Sequence, residues 1–293
     1  LYPAIGVDVE PLVDKGRFAR DCSGAGLSAI PTLLELDGDG ARRFASEPGE
    51  PLSSGDVIVK PRDGVGGAGV RSYAKVAGGY RDGDGETLGE SALLDRWREL
   101  ARRHPLIVQP RLRNAPEVAV VSTGGLCSVR LVTTRRGTEP AVPLFALLRM
   151  PASDPVADNM YRGGICAPID LVSGELGPAW SLEVAAVLRR EPAERHPVTG
   201  EPIVGRRLSS WDDLVDLALR AHDRFDAFHS IGWDIAITEN GPVLIEGNHN
   251  WGVMIAQYPR LTPLGWTRLP EDIRFRLENP STDRRLSRDP GAR

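Results

Sequence analysis

Val57-Ile-Val-Lys-Pro-Arg-Asp-Gly-Val-Gly-Gly-Ala-Gly-Val70 decides how the rest of the chain is read. Val57 to Lys60 predicts a short apolar strand that ends in a cation. A glycine-dense loop opens at Gly64 and closes at Gly69. Glycine lets backbone N–H groups approach an anion with no Cβ in the way, and the lysine adds a point charge beside them. Gly64-Val-Gly-Gly-Ala-Gly69 formally fits G-x-G-x-x-G, but a dinucleotide fold needs that motif to open a helix. Here Val70-Arg-Ser-Tyr-Ala-Lys-Val76 alternates like a second strand. A Walker loop carries its lysine after the glycines, whereas Lys60 precedes them. The stretch reads as a β-hairpin whose tip folds over phosphates; a merely flexible hairpin is the alternative on the loop alone.

Working outward, Asp14 predicts the N-cap of a helix over 14–27 that carries Phe18 and Cys22 on one face and is stopped by Gly24 and Gly26. Ile30–Leu36 predicts a strand before the turn Asp37-Gly-Asp-Gly40. Ser91–Arg103 predicts a helix with Leu93, Leu94, Trp97 and Leu100 on one stripe. Leu106–Gln109, Ser128–Thr134 and Val142–Arg149 predict further strands, the last two antiparallel. Trp211–His229 predicts a long amphipathic helix behind Ser210. Asp82-Gly-Asp-Gly-Glu86 is too short for a calcium loop and reads as a turn. No internal repeat is visible.

Composition narrows the function classes. The chain has 293 residues, is 41% hydrophobic and 26% charged, and carries a net charge of -4. That excludes the basic footprint of a nucleic-acid binder. Apolar runs are too short to span a bilayer, so no membrane insertion is expected. Three cysteines without paired spacing (Cys22, Cys127, Cys166) suit a reducing, cytoplasmic setting. Only three of the 36 basic residues are lysines, Lys15, Lys60 and Lys75. A compact ammonium is the special choice in such an arginine-rich chain, although chance survival explains three lysines too.

A second constellation lies near the C-terminus. Ile235–Thr238 and Val243–Glu246 predict a hairpin around Glu239-Asn-Gly-Pro242. Asp234 and Glu246 flank the turn at comparable depth, with Asn248 two residues on. Three hard oxygens on one side suit Mg²⁺ together with substrate phosphates. A carboxylate inside Val-Leu-Ile-Glu246 is costly unless something pairs with it. The plainer reading is an exposed hairpin with ordinary charges.

Taken in order, these pieces resemble the ATP-grasp superfamily from about Asp14 to Gly252. Asp14-Lys15 resembles the opening of its first helix. Ile58-Val-Lys-Pro61 with the glycine loop resembles its second lysine and flap, and the 45 residues from Lys15 to Lys60 suit that arrangement. Ile107-Val-Gln-Pro-Arg-Leu112 resembles the hinge segment. Ser128-Val-Arg-Leu-Val132, Asn159-Met-Tyr-Arg-Gly-Gly164, Pro168-Ile-Asp170 and Gly232-Trp-Asp-Ile-Ala236 are most similar to the sugar-transfer-associated, α-L-glutamate-ligase-like group.

The resemblance implies an α+β fold of two lobes, each an antiparallel sheet with helices, clamping ATP between them. Residues 1–107 would form the first lobe, 108–279 the second, and 280–293 a disordered tail, without the Rossmann-like domain that often precedes the lobes. It implies ATP and Mg²⁺ as cofactors. Lys15, Lys60 and the flap glycines Gly66, Gly67 and Gly69 would contact phosphate. Gln109 and Leu112 would contact adenine, and Glu117 the ribose. Asp234, Glu246 and Asn248 would ligate metal. Arg130 and Arg149 would stabilise developing negative charge. The implied activity is ligation of a carboxylate to an amine through an acyl phosphate, on small-molecule or glycan-linked substrates in polysaccharide or cell-envelope assembly, with a homo-oligomer possible. A kinase that stops at phosphoryl transfer and a non-catalytic nucleotide-binding scaffold are the rivals. Arg162-Gly-Gly164 reads as a mobile loop or a turn, and His249 as a packing residue. One departure stands out: D-alanine–D-alanine ligases place an arginine two residues before the metal aspartate, where this chain has Gly232.

Overall fold

The computed structural model describes residues 7–38, 40–44, 52, 55–63, 69–152, 164–181, 191–258 and 262–279. Gly66 and Gly67 of the expected flap, positions 159–163 of the second motif and the tail from Pro280 lie outside the described residues. In chain order the elements are α1 (Glu10–Val13), α2 (Lys15–Gly24), β1 (Leu34–Asp37), β2 (Gly40–Arg43), β3 (Val57–Pro61), β4 (Arg71–Val76), β5 (Gly79–Arg81), β6 (Thr87–Leu88), α3 (Glu90–Ala101), β7 (Leu106–Pro110) and α4 (Pro116–Ala119). There follow β8 (Ser128–Thr134), β9 (Val142–Pro151), β10 (Gly164–Ile169), β11 (Trp180–Ser181), α5 (Trp211–Arg224), β12 (Ser230–Thr238), β13 (Gly241–Asn248), α6 (Val253–Gln257), a 3₁₀ turn (Leu264–Trp266) and α7 (Leu269–Glu278).

The chain divides into two compact units. One is Val13–Arg113; the other holds the described residues before Val13 and from Asn114 onward. The boundary falls after Arg113, later than the expected 107/108. The cause is β7, which is hydrogen-bonded to β1 on one side and β3 on the other, so the first sheet cannot release it.

The first unit is an antiparallel sheet in the order β2-β1-β7-β3-β4-β5-β6. Leu34, Leu36, Val57, Val59, Leu106 and Val108 pack with Leu93 and Trp97 of α3, the stripe that helical spacing predicts. Trp97 is fully buried, and truncating such a side chain costs about 3–5 kcal/mol. α2 begins where Asp14 accepts the Arg17 N–H at 2.9 Å, the N-cap role that its short carboxylate suits. It ends earlier than expected. Gly26 takes φ +66°, its N–H bonds to Ser23 O, and Leu27 N–H bonds to Cys22 O. This reciprocal pattern needs a left-handed residue and closes the helix there. Strand pairing in β1 starts at Leu34, not Ile30.

The second unit is an antiparallel sheet in the order β11-β10-β9-β8-β12-β13. α5 turns Leu214, Leu217, Ala218, Ala221 and His222 inward. It stops at Arg224, short of His229, because Phe225 leaves helical geometry (φ -103°, ψ 48°). The bend lets the buried His222 donate from Nε2 to Phe228 O at 2.9 Å. Its Nδ1 accepts from Thr133 Oγ1 at 2.6 Å, and that hydroxyl accepts the Trp233 indole N–H at 2.9 Å. The chain of bonds requires a neutral ring, and burial pushes the His222 pKa down to about 4. Trp251, Ile255, Ala256, Leu264 and Leu269 pack with Val132, Phe145 and Leu147 on the sheet. Cys22, Cys127 and Cys166 are buried free thiols. Among the described residues no helix is long and apolar enough to cross a membrane.

Candidate active site

In the first unit two lysines are tied to one end of the fold. Lys15 opens α2 and is buried. Its N–H donates to Arg62 O at 3.1 Å, and Arg62 Nε meets Asp14 Oδ2 at 3.1 Å. The capping residue, the first helical lysine and the exit of β3 therefore move together, with Lys60 two residues before Arg62. Lys60 pairs with Ile107, and Ile58 with Gln109. Directly paired residues share a face of a sheet, so Lys60 and Gln109 lie on the face opposite the α3 core. α2 also approaches that face. A Cβ on Gly16 would come within 2.2 Å of Glu35 Oε1, and Glu35 pairs with Ile107.

β3 and β4 form the expected hairpin. Gly69 closes it at φ +75°, and an added Cβ would meet Pro61 Cγ at 3.0 Å; both facts require glycine. Gln109 is 1% exposed. Its Nε2 reaches Ile30 O at 3.5 Å, while its Oε1 is buried with no hydrogen-bond partner. A buried acceptor left unpaired costs about 1–3 kcal/mol, so it suits a ligand that brings a donor. Leu112 is half-buried just past β7.

In the second unit the site rests on an irregularity. From the turn, β12 and β13 pair regularly as far as Ile235 with Leu244. Regular pairing would then set Ile245 opposite Asp234. A bulge intervenes, and Asp234 faces Glu246 while Gly232 faces Asn248. Bulges re-aim side chains in this way. Asp234, Glu246 and Asn248 thus share one face, and Asn248 Nδ2 lies 3.5 Å from Glu246 Oε1.

Two arginines arrive on the same face from the neighbouring strands. Arg130 pairs in register with Asp234, and Arg149 with Ser128. Arg130 grips both carboxylate oxygens of Asp234, Nη2 to Oδ2 at 3.0 Å, and gives Nη1 to Trp251 O at 3.0 Å. Arg149 Nη2 lies 3.2 Å from Asp234 Oδ2, and its Nε donates to Ser128 Oγ at 3.1 Å. Burial works against a charged Asp234, but Arg130 and then Arg149 outweigh it, and the carboxyl is held at about 2. Gly232 leaves space for this. An added Cβ would sit 3.4 Å from Arg130 Cδ and 2.3 Å from Trp251 Cβ.

The donor set can be tested for a divalent cation. Glu246 faces Asp234 across the hairpin, and two carboxylates on one face of a sheet repel unless a proton or a cation lies between them. With the amide of Asn248 they make a hard-oxygen set fitted to Mg²⁺. Among the described residues no group of three or more His, Cys, Asp or Glu side chains converges, so such a site would be completed by ligand oxygens. Glu117 is engaged within the second unit. Its carboxylate accepts from Ser209 N–H and Oγ, both at 2.7 Å, and from Ser210 Oγ at 3.0 Å. That fastens α4 to the approach to α5. Arg62 and Trp251 carried no signal in the sequence, because their work is done by bonds to distant residues.

The model of the family described as sugar-transfer associated ATP-grasp matches residues 8–264. Among solved structures, the L-amino acid ligase from Bacillus licheniformis is similar at 11% identity, over 87% of this chain and 46% of that one, with a TM-score of 0.48. The D-alanine–D-alanine ligase from Bacillus anthracis is similar at 11% identity, over 92% and 69%, with a TM-score of 0.44. Biotin carboxylase from Campylobacter jejuni is similar at 14% identity, over 82% and 41%, with a TM-score of 0.46. The chain spans less than half the length of the first and third of these. No curated protein matches it.

Proposed function

We propose that this chain, which belongs to the sugar-transfer-associated ATP-grasp family, is an ATP-dependent ligase that joins a carboxylate to an amine through an acyl phosphate. The observation that carries the reading is the bulged hairpin, which sets Glu246 opposite Asp234 with Asn248 on the same face. Two carboxylates facing each other on one side of a hairpin repel unless a cation or a proton lies between them.

Lys15 and Lys60 take the charge of the nucleotide phosphates, with the glycine flap that includes Gly66, Gly67 and Gly69 closing over them. The orphaned Oε1 of Gln109 accepts from the exocyclic amine of adenine, and Leu112 supplies backbone to the base. Asp234, Glu246 and Asn248 hold Mg²⁺, which neutralises phosphate oxygens when bound. A substrate carboxylate oxygen attacks the γ-phosphorus, the bond to ADP breaks, and an acyl phosphate forms. Amine nitrogen then attacks the acyl carbon, loses a proton, and phosphate leaves. Phosphoryl transfer of this kind depends on position and charge neutralisation.

The two arginines divide the work. Arg130 is spent on Asp234 and the Trp251 carbonyl, so it holds the carboxylate. Arg149, steadied by Ser128 and with side-chain exposure of 16% against 8% for Arg130, is the donor for the oxygen on which negative charge develops. The family's association with sugar transfer supports acceptors linked to glycans or envelope polymers. Candidate carboxylates and amines, incubated with Mg²⁺·ATP and hydroxylamine, test the reaction. Hydroxamate formation that depends on the carboxylate is expected. ATP turnover without hydroxamate would make the protein a kinase, and no turnover with any pair would leave it a binding module.

A further inference from the structure

Trp251 joins more of this site than its position in a loop announces. It stands three residues beyond Asn248 and is 8% exposed. Its indole N–H donates to Ser230 Oγ at 2.8 Å, and its ring meets Phe145 edge-on with centroids 5.4 Å apart. These contacts fold the segment after β13 back over the start of β12. The fold-back sets the Trp251 carbonyl where Arg130 Nη1 reaches it at 3.0 Å. The remaining grip of Arg130 is on both oxygens of Asp234. Gly232 lies beneath, and a methyl group there would overlap Trp251 Cβ.

We propose that Trp251 is a positioning residue for Asp234. It acts through Arg130, and Gly232 is the space the arrangement requires. A guanidinium held only by a carboxylate can swing with it; one held also by a fixed carbonyl sets the carboxylate's direction. Groups that orient a metal-binding side chain in this way are worth about 10–100-fold in metal affinity. The bearing on metal binding rests on the ligase reading, whereas the positioning of Arg130 does not.

The test follows the Nε–Hε signal of Arg130 in ¹⁵N-labelled full-length protein, assigned by its loss in Arg130→Lys. Trp251→Phe keeps ring and backbone but removes the N–H; Ser230→Ala removes the acceptor. Each is expected to speed Hε exchange by about tenfold and to weaken binding of Mn²⁺ alone, read by EPR without nucleotide, by about tenfold. The double variant is expected to be no worse than the poorer single one, because both break one link. Unchanged Hε exchange in both variants overturns the proposal, as does a wild-type signal that already exchanges at the solvent rate. If the wild type binds Mn²⁺ no better than Asp234→Asn, the ligase reading fails, while Hε exchange still decides the positioning.

Discussion

The two ends of chemistry in this protein are built on opposite electrostatic plans. In the first unit Lys15 and Lys60 are placed by backbone: a helix cap, a strand exit and the Asp14–Arg62 bridge. In the second unit Asp234 is answered by Arg130 and Arg149 and faces Glu246 across the hairpin. Backbone placement fixes where the two lysines start, whatever their side chains meet. An internally balanced cluster keeps its geometry without a ligand and must exchange partners when one binds. Stability should therefore depend on the second set of charges, and ligand affinity on the first.

Asp234→Asn breaks this contrast most severely. It leaves two guanidinium groups buried without their counter-ion, and removing one partner of a buried pair costs about 3–5 kcal/mol. Denaturant unfolding should show a loss of about 3 kcal/mol. Lys60→Ala is the counterpart. Unfolding without ligand should change little, but the stabilisation by a saturating ATP analogue, about 2.7 kcal/mol at a hundredfold excess over Kd, should vanish from a thermal-shift titration.

Acid acts on the second unit in two steps. Burial holds His222 at about 4 against an ordinary 6.5, and His229, also by burial first, at about 4. Depressed histidines bind protons more readily unfolded, so stability falls as pH drops from about 6.5 to 4. The Asp234 contribution is present above its unfolded pKa of about 3.8 and is lost only as pH falls through about 2. Urea unfolding at pH 7 and pH 5 should show the histidine arm, and His222→Gln should shrink it to the share of His229 while leaving the acid limb of Asp234. The smallest effect belongs to Lys75→Ala. The ammonium of Lys75 sits 4.1 Å from the Tyr80 ring centroid, a contact worth ~0.5–1 kcal/mol. Stability should slip by that much with nucleotide binding intact.

The same contrast explains what could be read from the chain. The hairpin and the helix start were legible because their parts are local: β3, lysine and β4 follow one another along the chain, and Asp14 caps the helix that begins at the next residue. The α3 stripe was legible from helical spacing. The bulge at Ile245 was not, since isoleucine suits a regular strand and nothing marks the slip. Without it Asp234 would face Ile245, so the shared face of Asp234, Glu246 and Asn248 comes from a feature the spacing did not contain. Arg130 and Asp234 lie 104 positions apart and meet only through sheet register. That is why the grip of Arg130 on Asp234 was not legible in the sequence. The unit boundary was misplaced for a related reason, because which strand pairs with β7 is a tertiary fact.

The most direct test of the account is a thermal-shift titration of the wild-type chain with a non-hydrolysable ATP analogue, with and without Mg²⁺. The account predicts stabilisation that requires Mg²⁺ and disappears in both Lys60→Ala and Glu246→Gln. No shift, or an equal shift without Mg²⁺, would contradict it.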